Sequence, residues 1–392
     1  MLTMERVRTL AELNEFIVLP QRLYDGLPGF VAPLDLDRRQ LLDHKRSAFF
    51  THGIASYWIA RRDGVAVGRI SAQIDFAADG ANAADIGLFG CLDAVNDREV
   101  VAELLRTAEV WLRQRNRRIV RGPFTLSING EPGLMVEGQQ DPPVTLLGWH
   151  PDYLAQHLPD AGYNIATRLR CFLLEKQFEF DDQLASFGKA RARADLTVRP
   201  LRLEALQADM EQARRIFNDG WRRNWNFTPA TETDVAELIK QFRPFLFRDS
   251  GFFIDISGEP AAFVLSIPNI YEITQDLGPR PSISGWLRLL YRIWRQQYRG
   301  YRLALIGVAS KYQNSIVGKL ISTVAFEEVR QRMRARGVEH VIAGWIDETN
   351  RAALRPIQSL GFRPTRIYSL YEKTLETDTC ARAAGEVAAQ RA

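Results

Sequence analysis

Apolar and polar residues alternate in two kinds of pattern along the second half of the chain. Short apolar runs predict strands at 196–201, 252–257, 261–267, 302–308, 338–345 and 366–372. Apolar residues at helical spacing predict helices at 203–217, 231–246, 282–298, 316–335 and 350–360. Strands that alternate with helices indicate a mixed α/β sheet.

The first half repeats part of this pattern as a hairpin. Tyr57–Gln73 and Gly251–Ile267 each read as an aromatic-led strand, a tight turn and an apolar strand. The turns fall at Asp63-Gly64 and at Ser257-Gly258, residue types that favour two-residue hairpin loops. The repeat favours a duplicated domain, with chance similarity between α/β segments as the alternative.

A second pair of segments supports the duplication. Tyr153–Lys176 and Ile357–Lys373 each read as the end of a helix, a Gly-aromatic stop and a closing strand. Both pairs are about two hundred residues apart, as in duplicated domains rather than short repeats. We therefore predict domains at 1–180 and 195–375, a boundary near Phe180–Asp195, and a disordered tail at 376–392, which lacks bulky apolar residues.

Composition narrows the class of protein. The chain has 392 residues, 46% of them hydrophobic, which allows two cores of ordinary size. No apolar run reaches the length of about 18 residues expected of a membrane span. The three cysteines and five histidines have no metal-ligand spacing, so we expect no metal and a cytoplasmic protein. The net charge of +4 is compatible with nucleic acid, an anionic cofactor or an anionic membrane surface.

One strand, turn and helix in the second half suits an anion. The apolar strand Leu303–Val308 leads through the polar turn Ser310–Ser315 into a long helix. The first N–H groups of a helix have no intrahelical partners, and with the helix dipole they favour a diphosphate. Gly318 would let the diphosphate approach the backbone closely, and Lys311 and Lys319 would add positive charge.

This turn resembles the coenzyme A signature of the GCN5-related N-acetyltransferases (GNATs), Arg/Gln-x-x-Gly-x-Gly/Ala. Here it reads Gln313 to Gly318, with Ile316 in place of the first glycine. The second GNAT signature, Asn-x-x-Ala in a helix that ends in Gly-Phe, reads Asn350 to Ala353 and then Gly361-Phe362. The resemblance implies an acyl-CoA co-substrate, with the thioester carbonyl against the backbone of 307–309. The expected coenzyme-binding residues are Gly307, Val308, Ala309, Gln313, Asn314, Ser315, Ile316, Val317, Gly318, Lys319, Asn350 and Ala353.

The resemblance also implies the fold. We expect an α/β (α+β) protein of two tandem GNAT-like domains, each a mixed and mostly antiparallel sheet flanked by helices. In the first domain the corresponding strand, Ile86–Leu92, leads into the acidic Asp93–Asp97 without the glycine. We interpret this domain as degenerate, with a structural role or a role in shaping the acceptor site through Arg121–Phe124 and the glycine-rich stretch Asn129–Gly138.

Two positions depart from the GNAT pattern. Ile316 replaces a glycine, and Ile357 stands where many members carry the tyrosine that protonates the leaving thiolate. The expected function is acyl transfer to an amine. A non-catalytic sensor of acyl-CoA or lipid on the same fold is the alternative, and both isoleucines favour it.

Candidates for the acceptor side lie in two loops. An aromatic-rich helix connection and the stretch after the second hairpin give Asn218, Trp221, Asn224, Trp225, Phe227 and Tyr271 as substrate-binding candidates, with a packed helix corner as the alternative for the first loop. A general base must free the amine lone pair before attack. The candidates are Glu272, Asp347 and Glu232.

A basic amphipathic helix, Trp286–Tyr301, carries arginines with interfacial aromatic residues. This composition suits peripheral contact with an anionic membrane surface on the cytoplasmic side, and a helix packed on the sheet with a solvated arginine face is the alternative. Nucleic-acid binding is a third interpretation, but no recognition module accompanies it. The whole chain resembles a tandem GNAT subfamily that includes bacterial ceramide synthases, which implies a sphingoid base as acceptor.

Overall fold

Within the described residues, thirteen strands from both halves of the chain form one continuous sheet. The computed structural model describes residues 1–78, 83–175, 195–296, 298–359 and 361–375. The strands of the first half are β1 (Leu2–Arg6), β2 (Gly53–Arg62), β3 (Val65–Asp75), β4 (Ile86–Ala94), β5 (Ile119–Gly122), β6 (Leu134–Glu137) and β7 (Asn164–Glu175). Those of the second half are β8 (Leu196–Pro200), β9 (Gly251–Ile256), β10 (Glu259–Pro268), β11 (Gly300–Val308), β12 (His340–Asp347) and β13 (Arg363–Thr374).

Helices pack on this sheet along their apolar faces. They are α1 (Leu10–Tyr24), α2 (Asp35–Leu42), α3 (Arg98–Arg113), α4 (Tyr153–Asp160), α5 (Leu206–Trp221), α6 (Glu232–Phe242), α7 (Tyr271–Thr274), α8 (Ile283–Trp294), α9 (Ile316–Arg336) and α10 (Arg351–Ser359). Helix α9 buries Ile321, Val324, Ala325, Val329 and Met333, which recur at helical spacing. The predicted mixed, mostly antiparallel sheet flanked by helices is confirmed.

Both predicted hairpins are present. Strands β2 and β3 pair antiparallel around Asp63 (φ 51°) and Gly64 (φ 81°), and β9 and β10 pair around Ser257 (φ 50°) and Gly258 (φ 81°). Two central residues with positive φ make a turn whose twist matches that of the flanking strands. The turn residues therefore account for the hairpins in both halves.

The same parallel unit occurs once in each half. Strands β4 and β5 are parallel and are joined through α3, with Ile86 opposite Ile119. Strands β11 and β12 are parallel and are joined through α9, with Gly300 opposite His340. Parallel neighbours need a long crossover, which each helix supplies.

The two halves exchange their last strands. The strand order is β1-β2-β3-β4-β5-β13-β7-β12-β11-β10-β9-β8, and β6 pairs with β13. Strand β7 of the first half therefore lies beside β12, and β13 of the second half lies beside β5. The domain ranges 1–180 and 195–375 stay a prediction. The last strand of each range, β7 or β13, pairs with strands of the other half. Most of the predicted boundary segment and the predicted tail fall outside the described residues.

A histidine joins the halves through two carboxylates. His52 Nδ1 lies 2.9 Å from Asp75 Oδ1, and His52 Nε2 lies 3.1 Å from Asp234 Oδ1. Asp234 also caps the start of α6 by accepting the N–H of Thr231. The hydrogen bonds to Asp234 and Asp75 raise the pKa of His52 from 6.5 to about 10.

We expect His52→Gln to destabilise the protein in a pH-dependent way. At pH 6.5 the loss should be about 2 kcal/mol, because a part-buried ion pair that is bonded on both sides disappears. The pKa of the folded state exceeds that of the unfolded chain, so the stabilisation is complete below pH 6.5 and is lost as the pH rises toward about 10. Urea unfolding at both ends of this range measures it.

The matched control is His157→Gln, because His157 Nε2 faces the amide oxygen of Asn96 rather than a carboxylate. This variant should show the pH dependence of the wild type. A difference between His52→Gln and wild type that is equal at both pH values would contradict the two-carboxylate clamp.

Candidate active site

Strands β11 and β12 separate part-way along their length and leave an opening in the sheet. They pair only from Gly300 to Leu303, opposite His340 to Ala343. Strand β11 then carries an irregularity at Ala304, where Leu265 and Ser266 pair with Leu305 and Leu303. Beyond this bulge, no described residue pairs as a strand with the edge of β11 from Ala304 to Val308 on the β12 side.

Two carbonyls on this free edge accept side-chain hydrogen bonds. Trp221 Nε1 donates to the Ile306 carbonyl (3.0 Å), and Gln313 Nε2 donates to the Val308 carbonyl (2.9 Å). The N–H of a strand residue lies on the same edge as its carbonyl, so the N–H groups of Ile306 and Val308 also face the opening. The Ala309 N–H donates to the Ala261 carbonyl instead. Of the predicted backbone donors at 307–309, Val308 is therefore the one that faces the opening.

Tryptophans fill the base of the opening. The ring of Trp221, from the end of α5, lies edge-on to that of Trp345 in β12, with centroids 5.8 Å apart. The ring of Phe217 also contacts Trp221, tilted at 33° with centroids 5.2 Å apart. Trp221 is a predicted substrate-binding residue and Trp345 is not, because an aromatic residue inside an apolar strand carries no signal that it faces a site.

The predicted diphosphate turn forms a helix start with free donors. Ser315 caps α9 by accepting the N–H of Gly318 (2.9 Å), and Asn314 before it has φ 56°. Within the described part of the chain, the N–H groups of Ser315, Ile316 and Val317 have no hydrogen-bond acceptor. Such groups at a helix start are an anion site.

A cavity of about 320 Å³ opens beside this turn. Arg222, Arg223 and Lys311 line it and supply positive charge. Asp219 also lines it, but its carboxylate accepts both the N–H (2.6 Å) and the hydroxyl (2.8 Å) of Ser310 and so holds the turn closed. The chemistry of these residues fits the phosphates of coenzyme A.

Gly318 lets the turn close on itself, because a Cβ at this position would lie 2.3 Å from the Tyr312 carbonyl oxygen. The close approach of a diphosphate at Gly318 stays a prediction. Ile316 is 86% exposed and does not have a positive φ. The position that replaces the signature glycine therefore imposes no backbone strain on the loop.

The corresponding helix start in the first half is already occupied. Asp97 caps α3 and accepts the N–H groups of Glu99 (2.9 Å) and Val100 (3.2 Å). Arg62 in turn donates to the Asp97 carboxylate at 2.7 Å. A phosphate at this helix start would be repelled by the Asp97 carboxylate, which already accepts the N–H groups that could bind the phosphate.

The aromatic loop after α5 is tied down on both sides. Asn218 donates to and accepts from the backbone of Ala230, and Phe227 is buried in the core. The Asn224 N–H donates to the Trp221 carbonyl within the turn. The guanidinium of Arg121 lies 5.1 Å from the ring centroid of Trp225, so the first half contacts this loop directly.

Three predicted residues lie away from the opening. Glu272 accepts the Gly300 N–H (2.9 Å) and faces His340 Nε2 (2.9 Å), at the end of β11 that is about 13 Å from the start of the opening. Tyr271 lines a separate cavity of about 80 Å³ in the first half, where its hydroxyl accepts from Arg38 (3.3 Å) and burial raises its pKa to about 12. Glu232 is a surface residue whose side chain is 81% exposed.

Other predicted residues lie near the end of β12. Asp347 accepts the hydroxyl of Thr167 (2.8 Å) and the N–H of Thr349 (2.8 Å), which holds the turn after the strand. Asn350 accepts the N–H of Ala353 (3.1 Å) and so caps α10. The side chain of Ile357 is buried in the core, and an isoleucine has no proton to donate to the leaving thiolate.

We expect Glu272→Gln to lower stability without changing the pH dependence of turnover. The amide still accepts the Gly300 N–H but loses the charged partner of His340, which should reduce the free energy of unfolding by about 1 kcal/mol. The pH profile of kcat/KM and urea unfolding measure the two effects. A loss of kcat of about a hundredfold with a shifted profile would instead make Glu272 the base.

Two solved structures that share this architecture are GNAT proteins. A tandem GNAT protein from the clavulanic acid biosynthesis pathway superposes with a TM-score of 0.57 at 12% identity, covering 96% of this chain and 99% of that chain. A GCN5-related N-acetyltransferase from Sphaerobacter thermophilus gives a TM-score of 0.52 at 12% identity, covering 96% of both chains. At this identity the likeness shows the fold.

Two bacterial proteins match the chain over nearly its whole length. The "Bacterial ceramide synthase" of Caulobacter vibrioides is 33% identical over 370 residues, which is 94% of this chain and 96% of that protein. The chain belongs to the family of this Caulobacter protein and has the tandem GNAT fold. "Protein YghO" of Escherichia coli K12 is 32% identical over 373 residues, covering 94% and 95% of the two chains. No family model matches the chain.

Membership of this family favours one of the two predicted classes of protein. The chain is an N-acyltransferase, which transfers an acyl group to an amine, and the non-catalytic sensor is not favoured. The described residues contain no helix that is long and apolar enough to cross a membrane. They also contain no cluster of side chains arranged to hold a metal ion.

Proposed function

We propose that this tandem GNAT transfers a long acyl group from acyl-CoA to the amine of a sphingoid base and so forms a ceramide. The observation that carries the proposal is the match to the bacterial ceramide synthase along 94% of this chain and 96% of that protein. A match of this extent covers both halves of the chain. The acceptor class is therefore proposed for the whole chain rather than for one motif.

We place the coenzyme along the free edge of β11 and the start of α9. The N–H groups of Ser315, Ile316 and Val317 would hold the diphosphate, with Arg222 and Arg223 beside it. The side chain of Gln313 stabilises this site, because its amide nitrogen donates to the carbonyls of Val308 and Gly220 and so holds the turn in place. From the phosphate site at the start of α9, the coenzyme would extend along the free edge of β11 into the opening.

The transfer itself is a direct displacement. The amine nitrogen attacks the thioester carbonyl, the oxygen gains negative charge and accepts from the Val308 N–H, and the carbon–sulfur bond then breaks. The ammonium form of the amine gives up one proton to water before attack and a second proton after it. The thiolate leaves readily because a thiol has a pKa of about 8.5, and it then takes up a proton from water. The step therefore needs positioning and a polarised carbonyl more than it needs a strong acid.

The acceptor would approach across the aromatic side of the opening. Trp221 and Trp345 supply an apolar wall, and the loop around Trp225 is held by Arg121 of the first half. This arrangement supports the acceptor-shaping role proposed for the first half. Because both proposed substrates are lipids, we also propose peripheral contact with a membrane on its cytoplasmic face.

A competition assay tests the acceptor class. The purified full chain receives palmitoyl-CoA together with equal amounts of sphinganine, spermidine and a lysine peptide, and mass spectrometry identifies the amides. We expect the sphinganine amide as the main product. Preferential acylation of the peptide or the polyamine would reject the sphingoid acceptor while keeping the N-acyltransferase.

A further inference from the structure

Helix α8 exposes a row of large apolar side chains. Ile283 is 85% exposed, Leu287 64%, Leu290 59%, Tyr291 55% and Trp294 74%. These positions are spaced i, i+4, i+7, i+8 and i+11 and so lie on one face of the helix. We call these five residues the α8 stripe.

The α8 stripe is not the face by which the helix is attached. Gly285 and Leu289 are buried, and Trp286 and Ile293 pack against the core of the second half. Arg292 fastens the same helix by donating to the Ile273 carbonyl at 2.7 Å and to Asp276. The helix therefore has two apolar faces, of which one is used within the chain.

Positive charge adjoins the stripe. At 100° per residue the stripe covers an arc of about 100°, and Arg288 and Arg295 follow on the next arc before the buried face begins. Asp276 pairs with Arg288 (3.6 Å) and Arg292 (2.5 Å), whereas Arg295 has no ion-pair partner within the described residues. An exposed apolar face with tryptophan, tyrosine and adjoining arginines matches the boundary between anionic headgroups and acyl chains.

We propose that the α8 stripe docks on the surface of an anionic lipid bilayer and inserts its five side chains among the headgroups. The arginines would draw the helix to the surface, and burial of the stripe would hold it there. Docking would give the enzyme access to lipid substrates, and this purpose of the surface rests on the proposed function. The docking itself depends on α8 alone.

Vesicle flotation with the full chain tests the proposal. Vesicles of phosphatidylcholine alone and of phosphatidylcholine with about 30% phosphatidylglycerol are compared, since anionic lipid should favour arginine-flanked helices. We expect binding to the anionic vesicles, weakened by salt. The triple variant Leu287→Ser/Leu290→Ser/Trp294→Ser should bind at least tenfold more weakly, and Arg295→Glu should lose the preference for anionic lipid.

A matched control removes exposed apolar groups elsewhere. Leu10 (67% exposed) and Val65 (57% exposed) lie in the first half, and Leu10→Ser/Val65→Ser should bind as the wild type does. Triple-variant binding equal to wild type would overturn the proposal. So would a wild type that ignores vesicles but forms dimers that the triple variant does not, because a second copy would then cover the stripe.

A parallel activity assay separates the two proposals. Octanoyl-CoA at concentrations below its micelle threshold and a short soluble sphingoid amine need no membrane. The triple variant should acylate this amine at the wild-type rate. If the wild type docks on vesicles but acylates neither this amine nor sphinganine, the proposed function fails and the docking surface stands.

Discussion

Replacing Gly318 by valine should weaken acyl-CoA binding about a hundredfold, because two or more charge-assisted hydrogen bonds to the diphosphate would be lost. The valine Cβ would lie 2.3 Å from the Tyr312 carbonyl oxygen, so the turn must open and carry the first N–H groups of α9 out of line. Isothermal titration with coenzyme A measures the change. Thermal unfolding of the variant shows whether the fold is kept.

The control for this prediction is Ile316→Ala in the same turn. Ile316 is 86% exposed and lies beside the same donors, so its removal should change coenzyme binding by less than about twofold. Wild-type affinity in a folded Gly318→Val variant would contradict the placement of the diphosphate at α9. A large loss in Ile316→Ala would instead mean that the side chain contacts the coenzyme.

Replacing Trp221 by alanine should reduce both stability and turnover. The indole packs between Phe217 and Trp345 and donates to the Ile306 carbonyl, so its loss removes a wall of the opening and leaves a cavity. We expect a loss of about 3 kcal/mol in the free energy of unfolding. We also expect kcat/KM to fall at least tenfold, measured by thiol release, because the free edge of β11 is no longer held.

Trp221→Phe separates packing from hydrogen bonding, because phenylalanine fills most of the space but cannot donate to Ile306. Its stability should be nearer to wild type while its kcat/KM stays reduced. The matched control is Trp58→Phe, a substitution at a buried tryptophan in the core of the first half, which should affect stability alone. Equal kcat/KM for the Trp221→Phe variant and wild type would remove the role of this hydrogen bond.

Local chemistry in the sequence was sufficient for the elements of the fold. Asp63-Gly64 and Ser257-Gly258 carry the turns of both hairpins, and the helix predicted at 316–335 is α9. The helix predicted at 203–217 begins only at Leu206, because Leu203–Ala205 forms a separate 3-10 turn. Boundaries of this kind depend on capping geometry that apolar spacing does not report.

The strand exchange could not be predicted from the pattern. The apolar residues of β7 and β13 specify strands, but a strand pattern does not say which neighbour the strand will pair with. Pairing of β7 with β12 is decided by tertiary packing at the centre of the sheet. The order of elements along the chain was therefore predictable, while the joining of the two halves was not.

The candidate site was predictable where the chemistry is local. The turn from Gln313 to Gly318 is contiguous, so its motif places the helix start, whereas the reason for Gly318 needed the position of Tyr312. Glu272 was predicted from its residue type and its place after the second hairpin, and only the pairing of Gly300 with His340 shows that it lies at the far end of β11. Helix α8 shows the same limit, because its two apolar faces look alike in sequence.

The most direct test of the central claim is thiol release by the purified full chain. The assay uses palmitoyl-CoA or acetyl-CoA as donor, with and without sphinganine, and counts free coenzyme A. We predict release that requires both palmitoyl-CoA and sphinganine and that matches the amide formed mole for mole. Binding of palmitoyl-CoA without release of thiol on sphinganine or any other amine would contradict the account.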